Sequence, residues 1–352
     1  MARLGELILK SDSRTTAFIG LAKNAGKTTA FNKASRELAA ENCRLALLSF
    51  GRDGERKDAV TGRQKPPVLV PPGACFVTTE KALSTYSLEA ELLEKTGFQT
   101  IRGEVCIYRC RKDFCKAELT GINRTSILRK VKNRLLDSAE YILVDGALDR
   151  RSSALPELAE TAVISTGAVL GSTVDRVVDK TTSALTGLKL PGVENGGQHS
   201  RFKKLMEEAE NSCSGGWLCS SRDKVMFREK LSLNLKQELT ELLAEEDYNL
   251  LILTGALTEE IARVLITAQK SRGLVIIVRD GTRIFLKLRD FNLLSNRGIK
   301  IKVLDPIYIL ALAVNPHNPE GRDLNPEILL AALRESQPDL PVIDVKSQSY
   351  KF

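Results

Sequence analysis

Residues 16–29 read TAFIGLAKNAGKTT: a short apolar run, Gly20, five mixed residues, then Gly-Lys-Thr-Thr. A phosphate-cradling loop works because consecutive backbone N–H groups, backed by a helix N-terminus, converge on an anion. The usual spacing has four residues between the two glycines, and here there are five. The context fits the chemistry, since an apolar strand pattern precedes the loop and a helical pattern follows from Lys27 to Ala40, with Phe31, Ala34 and Leu38 on one face. In such a loop Gly26 lets the backbone approach, Lys27 reaches the β- and γ-phosphates, and the Thr28 hydroxyl ligates Mg²⁺. Gly20, Lys23, Asn24, Ala25, Gly26, Lys27, Thr28 and Thr29 are therefore the expected nucleotide-binding residues.

Working outward, strand and helix patterns alternate. Strand candidates are 44–50, Val68–Val70, Cys75–Val77, YILVD (141–145) and TAVIS (161–165). The stretch KALSTYSLEAELLEKTG (81–97) predicts a helix ending at Gly97, and STVDRVVDKTTSALTGL a helix capped by Ser172 or Thr173. This alternation implies a parallel sheet covered on both faces, a three-layer α/β/α phosphate-loop NTPase fold. Residues 191–216, with five glycines, a proline and a run of charge, predict a connection. The expected division is a nucleotide-binding domain over 1–190, that linker, and a smaller α/β domain over 217–352. In the latter lie strands 249–253, 274–278 and 299–304, the apolar run 308–314, and a last helix with Asn325 as cap and Pro326 at its first position, before a terminal strand PVIDV (341–345).

An acid at the end of a buried strand completes such a site by holding the Mg²⁺ shell, and YILVDG supplies Asp145. The loop FGRDGERKDAVTG (50–62) carries Asp53, Glu55, Asp58 and Thr61; Asp53 is the candidate for positioning water or Mg²⁺, with a surface charge cluster as the alternative. TAVISTGA stands where a guanine-reading Asn-Lys-x-Asp would follow the late strand, so adenine is expected over guanine, bound by the loops after Ser165 at the sheet's carboxyl edge.

Composition narrows the class. The chain has 352 residues, 43% hydrophobic and 27% charged, enough for two domains. No apolar run approaches the ~18 residues that span a bilayer, and the N-terminus has no signal-peptide pattern; the expected location is the cytoplasm. The seven cysteines suit reduced thiols there. Cys106, Cys110 and Cys115 invite a metal reading. However, EVCIYRC alternates like a strand, and the two histidines, His199 and His317, complete no ligand spacing, so buried thiols are expected. Net charge is +8, and residues 102–134 hold ten Lys/Arg against three acids. That window could contact nucleic acid or an acidic protein. TSILRKVKNRLLD carries an apolar stripe opposite its cations, and aromatics are 5% of the chain; a solvated helix face is favoured over nucleic-acid binding.

The five-residue spacing of the loop resembles that of dethiobiotin synthetase and the MinD-like branch of phosphate-loop proteins. The second lysine of that branch, five positions before Lys27, is Ala22 here, with Lys23 next to it. Several longer stretches, GLAKNAGKTT (20–29), residues 49–73, LVDGALDRRSSA (143–154), LTGALTEEIARVL (253–265), RGIKIKVL (297–304) and residues 313–333, together resemble the small reactivase subunit of the lysine 5,6-aminomutase family. The resemblance implies an ATP- and Mg²⁺-dependent, chaperone-like protein. It would act with a MutS-like ATPase subunit to expel damaged cofactor from an adenosylcobalamin-dependent aminomutase. Rival readings are a small-molecule kinase or synthetase of the dethiobiotin type and a nucleic-acid-associated binding module.

Overall fold

All six residues of β1 (Thr15–Gly20) are buried, so both faces of this strand are covered and no polar alternation is needed. The computed structural model describes residues 3–50, 67–83, 89–111, 113–122, 124–146, 156, 159–220, 223–227 and 232–346. After β1 come β2 (Leu45–Phe50), β3 (Val68–Val70), β4 (Cys75–Thr79), β5 (Ala90–Thr100), β6 (Gly103–Cys110), β7 (Cys115–Ala117), β8 (Gly121–Ile122), β9 (Tyr141–Asp145) and β10 (Thr161–Gly167). Strands β11 (Gly216–Cys219), β12 (Lys224–Phe227), β13 (Leu250–Leu253), β14 (Leu257–Thr258), β15 (Val275–Val278), β16 (Ile284–Phe285) and β17 (Lys300–Val303) follow, then β18 (Tyr308–Asn315) and β19 (Val342–Asp344).

The protein is an α/β chain with a large, mostly parallel mixed sheet and a second, smaller mixed sheet. The large sheet runs β19-β18-β10-β1-β9-β2-β4-β6-β5, with β8 also on β2. β1 lies between β9 and β10, parallel to both, while β6 is antiparallel to β4 and β5. Two helices, α1 (Leu4–Lys10) and α2 (Lys27–Ala40), cover one face. Phe31, Ala34 and Leu38 of α2 pack with Phe18, Leu47, Leu143, Val163 and Ala311 of the sheet. Phe18 and Phe31 meet edge to face at 5.3 Å. Fully burying each such side chain contributes roughly 1.5–3 kcal/mol, so α2 is anchored along its length and its first residue is a fixed point.

Two helices are short or peripheral, α3 (Glu80–Leu83) and α4 (Thr125–Leu135). α4 buries Leu128, Val131 and Leu135, the expected stripe. Its Arg134 pairs with Glu94 at 2.5 Å, and Arg134 and Lys130 lie over the Phe98 ring.

The smaller sheet runs β12-β11-β13-β15-β17. On one face Leu251 and Leu253 join Leu239, Leu243 and Ile261, from α7 (Ser232–Glu245) and α8 (Glu259–Thr267). On the other, Leu250 and Ile252 join Leu205 and Met206 of α6 (Gly197–Asn211). Successive residues point to opposite faces, as a strand requires. No described helix is long and apolar enough to cross a membrane.

Several expectations need correction. The sheet is not wholly parallel, and the second unit does not simply follow the first. Contacts divide the chain into Met1–Val178 with Tyr308–Phe352, and Asp179–Ile307. The boundary falls inside α5 (Val174–Leu188) rather than near 190. The tail from Tyr308 returns to the large sheet because β18 pairs with β10 over seven residues. The 191–216 stretch is not a bare linker: α6 fills most of it, and Gly192 forms a parallel bridge with Val303.

The helix expected over 81–97 is instead α3 followed, from Ala90, by the eleven-residue β5. Helix propensities differ by only about 0.7 kcal/mol per residue, and pairing with the apolar, alternating β6 outweighs them. Gly97, expected as a helix end, has φ +77 inside β5 where the register with β6 shifts.

Candidate functional site

The loop between β1 and α2 opens on the carboxyl edge of the large sheet. Its entry is fixed by Leu21, whose N–H donates to the Ser165 carbonyl at 2.9 Å. Asn24 and Gly26 both adopt left-handed backbone, with φ of 62° and 93°. Between them Ala25 is buried, and at its far end Lys27 is the first residue of the fourteen-residue α2. Gly26 is the helix N-cap and offers no side chain to the free amides of the first turn, which leaves them for an anion.

Asp145 ends β9 and stands level with Phe18 of β1 and Ser49 of β2 in the parallel register. The Gly146 N–H donates to the Phe18 carbonyl at 3.0 Å and so fixes the turn after the acid. Lys27 Nζ lies 2.8 Å from Asp145 Oδ1, with side chains only 13% and 17% exposed, and it also donates to the Gly146 carbonyl. Asp145 Oδ1 is fully buried and, among the described residues, has no aligned hydrogen-bond donor, so the ion pair neutralises it without saturating it. Such a carboxylate oxygen can join the oxygen shell of a divalent cation once Lys27 turns to another anion. Thr28 and Thr29 follow Lys27 in the first turn of α2, both half-buried.

Thus Gly20, Asn24, Ala25, Gly26, Lys27, Thr28 and Thr29 lie on one loop and helix start, with Asp145 joined to them through Lys27. Lys23 lies on the same loop, half-buried. Asp53, with Glu55, Asp58 and Thr61, lies outside the described residues. Cys106, Tyr108 and Cys110 are all buried on β6, and burial pushes the Cys106 thiol above its ordinary value. Cys110 and Cys115 bring their sulfurs to 2.7 Å.

One participant was missed from sequence. Asn315, at the end of β18 and buried, donates from Nδ2 to the Asn24 carbonyl at 3.2 Å. From the same loop Glu320 accepts from Asn24 Nδ2 at 3.3 Å. A signal was present: YILALAVN (308–315) runs apolar residues straight into a polar one, as YILVD does. Its assignment to a second domain hid the connection. No family model matches the chain, and neither does any curated protein.

Proposed function

We propose that this chain binds MgATP at the Gly20–Thr29 loop, hydrolyses it, and works in the cytoplasm with a MutS-like ATPase partner. Its task would be to reactivate an adenosylcobalamin-dependent aminomutase by exchanging damaged cofactor. The observation that carries the nucleotide part is Lys27. It heads a long, packed helix, directly after left-handed Gly26, and is ion-paired with an acid at the end of the neighbouring strand. The reactivase part is supported by the sequence stretches in both halves that resemble that family.

In this reading the large sheet is the core of a phosphate-loop NTPase. Lys27 is held by Asp145 and the Gly146 carbonyl until phosphate oxygens replace them. The amides at the start of α2 take the same oxygens. Thr28 and Asp145 would hold Mg²⁺, which would supply positive charge against the phosphate oxygens. The residues after Ser165, at the carboxyl edge of β10, receive the adenine. Lacking a second loop lysine at Ala22, the chain alone is a weak ATPase. An arginine finger supplied by a partner raises turnover by ~10³–10⁵ in other phosphate-loop proteins.

Calorimetry on Lys27→Ala tests the site: MgATP affinity falls at least 100-fold while the melting temperature holds, and unchanged affinity rejects the site. The role is tested by inactivating an aminomutase through turnover and adding this protein, its partner, MgATP and fresh adenosylcobalamin. Activity that returns equally with Lys27→Ala, or without nucleotide, rejects an ATP-driven reactivase and favours a small-molecule kinase or synthetase.

A further inference from the structure

We propose that Asn315 is a positioning residue for the phosphate loop, holding the Asn24–Gly26 turn in its anion-ready shape before any nucleotide arrives. The inference rests on the phosphate reading of that loop and extends it to a strand remote in sequence.

Asn315 ends β18, and β18 is separated from β1 by β10. Strands are spaced roughly 4.8 Å apart, so an asparagine there can reach the loop after β1 only by passing over the end of β10. Glycine permits the close approach this requires, at the main chain on one side and at the side chain on the other. Gly167, the last residue of β10, is level with Asn315, and a Cβ built on it would sit 1.9 Å from the Asn315 carbonyl oxygen. On the loop side, a Cβ on Gly26 would sit 2.7 Å from the Asn315 Cβ. Both glycines therefore admit the same residue.

The amide is oriented by using both of its ends. Nδ2 donates to the Asn24 carbonyl at 3.2 Å, while Oδ1 accepts from the His317 N–H at 3.3 Å. The carbonyl it holds belongs to a residue with φ 62°, left-handed backbone that asparagine enters more readily than most residues and that this second contact fixes in place. The loop that presents Asn315 is itself tied down. The Leu324 N–H donates to the Pro316 carbonyl at 3.0 Å, and His317 pairs with Asp323 at 2.8 Å. Asn318 reaches the Ala168 carbonyl at 3.5 Å beside the end of β10.

A positioning residue differs from a base-reading one in three ways. It acts on the empty protein, it affects every purine triphosphate alike, and it leaves the rest of the fold unchanged. The test uses the full chain with Asn315→Ala and with Asn315→Asp, which keeps the shape and the acceptor for His317 but lacks the donor. Hydrogen exchange without nucleotide should accelerate roughly five- to tenfold across residues 21–28 in both variants, the scale of one lost hydrogen bond. Exchange in β10 and β18 and the melting temperature should hold. Calorimetry should show MgATP and MgGTP weakened by a similar factor in Asn315→Ala. Unchanged loop exchange overturns the proposal, as does a loss confined to ATP, or global destabilisation in both variants. If the wild-type chain binds no nucleotide, the phosphate reading fails, and the exchange data still decide whether Asn315 holds the loop.

Discussion

Asp145 and Asn315 are the same kind of residue in sequence and different kinds in space. Each closes an apolar strand of the large sheet at its carboxyl edge, and each reaches the loop after β1. Asp145 does so as a charge from the strand directly beside β1, meeting Lys27. Asn315 does so as a hydrogen-bond donor from two strands away, meeting a main-chain carbonyl. An adjacent strand needs only a side chain of the right charge. A remote one also needs a lane for its main chain beside the intervening strand, and Gly167 provides it by leaving room for the Asn315 carbonyl.

The largest effect should therefore come from closing that lane. Gly167 has φ 161°, extended backbone open to any residue, so Gly167→Ala carries no torsional cost. Its damage is purely the clash of the new methyl with the Asn315 carbonyl, a backbone atom that cannot rotate away. Overpacking commonly costs 1–3 kcal/mol, and with backbone as the obstacle Gly167→Ala should lose about 3 kcal/mol in urea unfolding. A loss under about 0.5 kcal/mol would mean that β18 shifts freely and that the two strand ends are not rigidly linked.

A somewhat smaller effect should separate charge from shape at the other strand end. Asp145→Asn keeps the size of the side chain and loses the charge that faces Lys27 and that would face Mg²⁺ in the proposed site. Turnover measured with saturating partner should fall about 100-fold, the range of ~2.7 kcal/mol. If the proposed site holds, MgATP affinity should stay within about threefold, because Lys27 and the backbone amides would hold the phosphates. Equal turnover in mutant and wild type would reduce Asp145 to a turn residue and remove its contrast with Asn315.

Local pattern carried much of the candidate site's geometry but not every residue that meets there. The helix Lys27–Ala40, the strand Tyr141–Asp145 and the Asn325–Pro326 helix start were all legible, because burial on one face and capping are encoded within a few residues. What could not be read was which sheet a strand joins. YILALAV is apolar enough for the interior of either unit, and only its pairing with β10 places it. The error over 81–97 has the same origin. Leu92 and Leu93 suit a helix by propensity, yet both lie exposed on the edge strand β5, held there by its partner β6. Non-local pairing overrode local preference in both cases.

The smallest effect should appear within the Asn315 loop and report on what keeps it closed. His317 bonds to Asp323 and, with the Asn318 N–H, holds the Asp323 carboxyl below the usual aspartate range. A depressed value in the folded state means that the interaction stabilises the loop above the ordinary aspartate pKa of ~3.9 and is lost as pH falls through the folded value. Carboxyl-carbon resonances followed on titration should give Asp323 a midpoint below that of an ordinary aspartate. The imidazole is the larger cause, so His317→Phe should move the midpoint upward. Both groups are largely exposed, with side chains at 49% and 61%, so the melting temperature should barely change. The informative readout is local: in His317→Phe, exchange at the Asn318 amide should rise while the Asn24–Gly26 turn stays protected, because Asn315 binds its carbonyl from the strand end rather than from the loop tip. Joint loosening of turn and tip would show that the strand-end contact depends on the loop, and the distinction between a charge from an adjacent strand and a donor from a remote one would then rest on His317 as much as on Gly167.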